Sequence, residues 1–103
     1  MKKSTLASVE SLIPLLENTD YTLLRAERQT PTDAILPWRR RSRIRRILNR
    51  IRQIQRTNRA LHIEYYRYNT DIYVYIPSQN IILFDLLWPN NLPTWHTVES
   101  LTA

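Results

Sequence analysis

The apolar residues near the N-terminus recur at helical spacing. Residues 5–18 are therefore predicted to form an amphipathic helix with one apolar face. The residues of that face are Leu6, Val9, Leu12, Ile13 and Leu16. Pro14 is expected to break or kink the helix, because a residue that precedes proline is driven out of the α-helical region. Residues 21–26 suit either a short strand or an extension of the helix, and residues 29–33 are predicted to be a loop.

A second helical pattern runs through the middle of the chain. With Ile44 placed at zero and about 100° per residue, the apolar residues fall in a stripe about 120° wide. These residues are Ile44, Ile47, Leu48, Ile51 and Ile54. A stripe of this width is typical of a helix that packs on a sheet. We therefore predict a long amphipathic helix within residues 34–59, with the other side chains in solvent.

The next segment alternates between two faces, which is the pattern of β-strands. Residues 60–68 and 71–76 are predicted to pair around a turn at Asn69 and Thr70. The favoured register pairs Tyr65 with Val74, Tyr66 with Tyr73 and Ile63 with Ile76. It places one set of apolar residues on a single face, whereas a shift by one residue would mix the two faces. That face holds Ile63, Tyr65, Ile72, Val74 and Ile76, and the opposite face holds Glu64, Tyr66, Tyr68, Tyr73 and Tyr75.

Residues 80–87 are predicted to add a third strand to this hairpin. Their apolar side chains fall on both faces of such a strand, so both faces are expected to be covered. The basic helix can cover one face. The N-terminal helix, the tail segment Trp88–Trp95 or a second subunit can cover the other.

The predicted fold is thus a single α+β domain over residues 1–103, with a long helix packed on an antiparallel meander of three strands, or four if another strand joins. Its predicted parts are an N-terminal helix and linker (1–33), a basic helix (34–59), the meander (60–88) and a tail (89–103).

The composition excludes several kinds of site. The chain has no cysteine, and therefore no disulfide, thiolate nucleophile or sulfur-ligated zinc. It also has no glycine, which the phosphate-cradling loops of nucleotide enzymes require. No segment approaches the roughly 20 apolar residues that span a bilayer, and Glu10 and Glu17 interrupt the apolar run that a secretory signal needs. We therefore expect a cytoplasmic protein without a cofactor or a membrane span.

The positive charge is concentrated in one segment. Residues 34–63 carry ten arginines and no acidic residue, whereas the whole chain has a net charge of +6. Like charges stand four residues apart at 39/43, 41/45, 46/50 and 52/56. Together these pairs cost the helix about 1–2 kcal/mol. A helix selected only for solubility would mix the two signs.

Binding of a polyanion explains this cost, and nucleic acid is the commonest polyanion. The planar guanidinium group of arginine binds phosphate oxygens in pairs and also stacks on bases. Phosphate contacts alone predict binding that tolerates any sequence and weakens with salt, to RNA or to DNA. Asn49, Gln53 and Gln55 lie among the arginines and can reach base edges. The predicted contact residues are Arg39, Arg41, Arg45, Arg46, Arg50, Arg52 and Arg56.

Other interpretations of the basic helix stay open. Arginine has good helix propensity, so the segment can be a solvated face of biased composition, with Glu64 or Asp85 neutralising part of its charge. A basic amphipathic helix also binds anionic lipid when its apolar face is free to insert. An acidic protein partner is a further alternative.

The tyrosines on one face of the predicted sheet are a second candidate site. Aromatic side chains on a sheet form the stacking platforms of single-stranded RNA binders. They serve equally well at a dimer or partner interface, which supports an assembly module as an alternative function. The residues concerned are Tyr66, Tyr68, Tyr73 and Tyr75.

Catalytic chemistry has little support in the sequence. His62, expected on the tyrosine side of its strand, and His96 have no second metal ligand at a recognisable spacing. Glu64, Asp71 and Asp85 lie on neighbouring predicted strands, as in metal-dependent nucleases, but the register places Asp85 on the apolar side opposite the other two. We therefore predict no catalytic residue, no metal site and no enzyme.

The order of the predicted elements resembles that of the small toxins of the RelE/ParE type. Shared features are an N-terminal helix, a strand-compatible segment at 21–26, a basic helix and a three-stranded meander. The resemblance is one of topology and involves no residue motif. Toxins of this type place a basic surface on RNA or gyrase, so it implies a toxin as a further alternative.

Overall fold

The computed structural model describes residues 4–5, 9–28 and 36–99, and its fold is α+β, as the sequence predicts. The strands are β1 Ser4–Thr5, β2 Tyr21–Ala26, β3 Glu64–Tyr68, β4 Asp71–Pro77 and β5 Trp95–Thr97. Their order in the sheet is β1-β3-β4-β2-β5. Strands β3, β4, β2 and β5 pair antiparallel, and β1 adds a short parallel partner beside β3.

The long helix α2 spans Pro37–Thr57 and confirms the predicted basic helix. It begins with proline, whose missing N–H has no partner to lose in the first turn. It ends where Asn58 donates its backbone N–H to the carbonyl oxygen of Ile54 over 2.9 Å. All five residues of the apolar stripe are buried against the sheet. Burial of each contributes about 1.5–3 kcal/mol, which outweighs the roughly 1–2 kcal/mol of repulsion among the arginines.

The β3–β4 hairpin has the predicted register. Tyr65 pairs with Val74 and Tyr66 pairs with Tyr73. Ile63 and Ile76 are both buried in the core beneath α2, although Ile63 precedes the first residue of β3. The apolar face that this register defines is the face on which α2 packs.

The predicted third strand over residues 80–87 is wrong. Ile81–Leu87 form helix α3, which follows a 3₁₀ helix at Ser78–Asn80, and the second neighbour of β4 is β2. In α3, Phe84 faces the core and is 1% exposed, whereas Ile82 and Leu86 face outward and are each 76% exposed. An apolar run of this length fits a strand and a helix almost equally well, so periodicity alone does not decide between them.

The C-terminal segment is more than the predicted tail. Strand β5 pairs with β2 and forms an edge of the sheet, and residues 100–103 lie outside the described part. Trp95 of β5 packs 5.1 Å from Trp88 and 5.8 Å from Phe84, measured between ring centroids. The Nε1 of Trp88 donates to the carbonyl oxygen of Pro93 over 2.9 Å and so fixes the loop between α3 and β5.

The N-terminal segment covers the second face of the sheet. Of the predicted helix over residues 5–18, Val9–Leu12 form a 3₁₀ helix and Ile13–Leu16 form α1, while residues 6–8 lie outside the described part. The backbone changes from 3₁₀ to α geometry at Ile13. Both Ile13 and Pro14 lie in α1, so the proline does not end the helical segment. Leu12, Leu15 and Leu16 pack with the tyrosines. Of the three predicted covers for this face, the structure shows the first, and Val98 after β5 joins it.

Candidate nucleic-acid interface

The solvent side of α2 carries a row of arginines that we call the basic face. Its members are Arg41, Arg45, Arg46, Arg52 and Arg56, and all are exposed. Their positions follow from the helical period, because the apolar stripe takes up the opposite side of the helix. The basic face thus contains five of the seven predicted contact residues.

No carboxylate neutralises the basic face within the described residues. The ion pairs found there lie elsewhere: Arg28 with Asp71 at 3.5 Å and His96 with Glu27 at 3.7 Å. Glu64, a candidate for neutralisation, instead accepts a hydrogen bond from the hydroxyl of Tyr66 at 3.0 Å. In the described part of the chain, neither Glu64 nor Asp85 forms an ion pair with an arginine of α2.

Neutral oxygen atoms orient one arginine of the basic face. The Nε of Arg52 donates to the hydroxyl of Tyr65 over 3.2 Å, and its Nη1 donates to Oδ1 of Asn49 over 3.3 Å. These acceptors carry no formal charge. The guanidinium is therefore held in place while its positive charge remains available to a ligand.

The other two predicted contact residues have different surroundings. Arg50 is half-buried, whereas the sequence predicted that its side chain faces solvent. Its guanidinium donates to Oε1 of Gln53 over 3.0 Å and to the carbonyl oxygen of Leu87 over 3.2 Å. It therefore links α2 to the end of α3. Arg39 is exposed, and its guanidinium carbon lies 5.3 Å from the ring centroid of Trp38, which is 58% exposed.

On one flank of α2 a hollow of about 290 Å³ opens toward β3, and we call it the α2–β3 cleft. Its walls are four arginines, and its floor is Ile44 and Leu48. The arginines are Arg41, Arg45, Arg52 and Arg67. Sequence reasoning missed Arg67, although it continues the alternation of Ile63 and Tyr65 and so lies on the face that meets α2.

On the other flank, α2 and the 88–93 loop enclose a groove made of two adjoining hollows of about 400 and 350 Å³. The two hollows share Arg46 and Asn91. Asn49 and Gln53, predicted to be near base edges, line the second hollow. Gln55 does not, because its Oε1 accepts the backbone N–H of Ile63 over 2.8 Å and is used to join α2 to β3.

The tyrosine face is closed to a base stack at its centre. Tyr73 and Tyr75 are buried beneath the N-terminal segment, and Tyr21 stacks on Tyr75 with centroids 4.7 Å apart. Tyr66 and Tyr68 are half-buried. A platform of four exposed rings is therefore absent from the described structure, and the tyrosines act mainly as core residues.

Burial raises the pKa of three tyrosines on this face, Tyr66, Tyr73 and Tyr75. The pKa of Tyr66 rises to about 12, because burial penalises the phenolate, and the bond to Glu64 and the charge of Glu64 add to the effect. Burial also raises the pKa of Tyr73, although the hydrogen bond from Arg25 acts in the opposite direction. Tyr66, Tyr73 and Tyr75 therefore stay neutral at physiological pH.

The residues considered for catalysis do not converge. His62 is exposed and precedes β3 with a left-handed φ of 54°, so it does not lie on the tyrosine side of a strand. Among the described residues, no group of three or more histidine or acidic side chains is placed to hold a metal ion. Glu64, Asp71 and Asp85 belong to β3, β4 and α3 respectively.

Two further findings concern the described helices and the similarity to known proteins. No helix in the described part of the chain is long and apolar enough to cross a membrane. The resemblance to RelE/ParE toxins included a three-stranded meander, and the structure has a hairpin followed by a helix at that place. No protein-family model, curated protein or solved structure matches this chain.

Proposed function

We propose that this protein binds RNA or DNA through the basic face of α2, by contacts to phosphate and with little or no sequence specificity. The observation that carries the proposal is five exposed arginines on one side of a helix, with no described carboxylate in ion-pair contact with any of them. Their repulsion destabilises the free protein, and a polyanion would relieve it. We also propose that the protein acts in the cytoplasm.

The dimensions of the basic face suit a nucleic-acid backbone. From Arg41 to Arg56 the helix advances about 22 Å. Over that length a duplex carries about 13 phosphate charges. Each arginine of the face therefore has phosphates within reach, without any need for a matching base sequence. Asn49 and Gln53 add polar contacts on one flank only.

The test replaces Arg45, Arg46 and Arg56 by glutamine, because these exposed side chains have no hydrogen bond to a described residue that the change would break. Affinity for a mixed-sequence oligonucleotide is measured by fluorescence anisotropy at low salt. We expect the triple variant to lose most of its binding and to keep its fold. Arg59→Gln, which removes one exposed charge just beyond α2, is the control and is expected to bind almost normally.

Thermal unfolding of the same triple variant separates a binding role from a structural one. Each substitution removes one like-charge pair at i,i+4, so we expect an unchanged or slightly higher stability, with a gain of up to about 1.5 kcal/mol. A large loss of stability would mean that these arginines support the fold. In that case the loss of binding would say nothing about phosphate contacts.

A second candidate function is protein assembly, and one observation favours it. The outer side of α3 exposes Ile82, Leu83 and Leu86, which is an unusual grouping for a solvated surface. Sedimentation of the purified chain tests this alternative. A defined dimer that becomes a monomer on Leu86→Ser would support it, and a monomer at all concentrations would speak against self-association.

A further inference from the structure

We propose that the α2–β3 cleft is the primary phosphate site of the protein and holds the backbone phosphate of one nucleic-acid strand. This inference rests on the proposed function and names the place at which binding is strongest. The site consists of Arg41, Arg45 and Arg52 from α2 together with Arg67 from β3.

The contribution of Arg67 separates this cleft from the rest of the basic face. A helix of biased composition explains arginines along α2, but it does not explain a fourth arginine that a different strand brings to the same hollow. Four guanidinium groups around about 290 Å³ repel one another. No acidic residue of the described chain lines the cleft. An anionic ligand would turn this repulsion into attraction.

Two of the four guanidinium groups are already positioned. The Nε of Arg67 donates to the carbonyl oxygen of Asn69 over 3.1 Å, and the Nε of Arg52 donates to the hydroxyl of Tyr65 over 3.2 Å. Neither acceptor is charged, so the hydrogen bonds do not neutralise the positive charge of either arginine. The two terminal nitrogens of Arg67 form no hydrogen bond with a described residue, and such a pair matches two oxygens of one phosphate.

The size and floor of the cleft indicate what enters it. Small-molecule sites usually occupy roughly 300–1,000 Å³, and this cleft lies just below that range at about 290 Å³. It therefore suits a phosphate with part of its sugar more than a stack of bases. Ile44 and Leu48 at the floor exclude water from one side, which strengthens the attraction between guanidinium and phosphate.

Nucleic acid fits this cleft better than a lipid headgroup does. A basic helix that binds a membrane inserts its apolar face between the lipids. Here the apolar stripe of α2 is buried in the core and cannot insert. Arg56 of the basic face continues along α2 beyond Arg52 of the cleft, as contacts to a continuing phosphate backbone require.

The experiment compares Arg67→Gln with Arg59→Gln, which removes the same charge from a residue outside the cleft. Anisotropy titrations use a fluorescent mixed-sequence RNA strand and the corresponding DNA strand. We expect Arg67→Gln to weaken binding at least tenfold, to reduce the slope of log affinity against log salt by about 1, and Arg59→Gln to weaken binding far less. If Arg67→Gln fails to fold, Arg41→Gln replaces it, because Arg41 is exposed on α2.

The outcomes separate the cleft from the general proposal. If Arg67→Gln and Arg59→Gln weaken binding equally while the triple variant abolishes it, the cleft proposal is wrong and the proposed function stands. If the wild-type chain binds neither strand at low salt, the proposed function fails and the cleft proposal with it. Binding to vesicles of phosphatidylserine and phosphatidylcholine that depends on Arg67, without binding to nucleic acid, would overturn the choice of ligand.

A second readout locates the site directly. Inorganic pyrophosphate is added to ¹⁵N-labelled protein, and the Nε–H resonances of the arginines are followed by NMR. We expect saturable shifts of the Arg52 and Arg67 resonances at lower concentrations than those of Arg56 and Arg59. Uniform shifts of all four, or none at Arg67, would contradict a primary site in the cleft.

Discussion

Two residues of the described chain adopt the left-handed backbone conformation, although the protein has no glycine. They are His62 before β3 and Asn69 in the β3–β4 turn, with φ values of 54° and 53°. Asparagine tolerates this conformation better than most residues because its short amide hydrogen-bonds locally. The turn at Asn69 also supplies the carbonyl oxygen that orients Arg67, so its geometry contributes to the cleft.

Substitution of Asn69 tests the cost of this conformation. Asn69→Ala is expected to destabilise the protein by about 1 kcal/mol, because a Cβ without the compensating amide is disfavoured there. Asn69→Gly is expected to be nearly neutral, since glycine enters the left-handed region without a steric penalty. Chemical denaturation measures both changes. Equal losses for alanine and glycine would show that the asparagine side chain, and not the backbone, determines the stability of the turn.

Tyr66 makes stability depend on pH in the alkaline range. Its pKa is raised from 10.0 to about 12, so between these values the folded chain keeps a proton that the unfolded chain has released. Stability is therefore fully present below pH 10 and falls as the pH rises toward 12. Tyr66→Phe is expected to flatten part of this fall in denaturation midpoints measured across the range. A fall in Tyr66→Phe as steep as in the wild-type chain would contradict this assignment to Tyr66.

Among single residues, positions that follow from periodicity can be predicted from the sequence, whereas positions that depend on tertiary contact cannot. The five exposed arginines follow from the 3.6-residue period, and Arg67 was predictable from the two-residue period of β3. The burial of Arg50 was not predictable. It depends on the carbonyl oxygen of Leu87, which reaches Arg50 only because residues 81–87 form a helix.

At the scale of elements, helix α3 is where sequence and structure differ most. A strand would have put Ile82, Phe84 and Leu86 on one face, whereas the helix buries Phe84 and exposes the other two. The sheet position that a third strand would have taken beside β4 belongs to β2. Pairing with a segment so distant in sequence is decided by tertiary packing, which local patterns do not report.

Alanine substitutions in α3 distinguish the two arrangements. Phe84→Ala is expected to cost about 3–5 kcal/mol, because it leaves a cavity beside Trp88 and Trp95. Leu86→Ala is expected to change stability by less than about 0.5 kcal/mol, since its side chain is exposed. The free energies of unfolding in urea provide the comparison. Similar large losses at both positions would indicate a strand with both side chains on one buried face.

At the scale of the whole molecule, the sheet is covered on both faces by elements of different character. The N-terminal segment packs on the tyrosines, and α2 packs on the opposite face and turns its arginines to solvent. The sequence predicted the need for two covers but left three alternatives for the second, because burial patterns show that a face is covered without naming the partner. Because α2 turns its arginines to solvent, the positive charge lies on the outer side of this helix.

Phosphate binding by the basic face predicts a strong salt dependence of nucleic-acid binding by the wild-type protein. Affinity for a mixed-sequence DNA duplex is measured from about 50 to 200 mM salt. With the five contacts of the basic face, or six with Arg67, we expect a slope of log affinity against log salt of about −4.5 to −5.4, a loss of roughly 500- to 1,800-fold over this range. A slope near zero, or no binding at the lowest salt, would contradict the claim that the basic face binds a phosphate backbone.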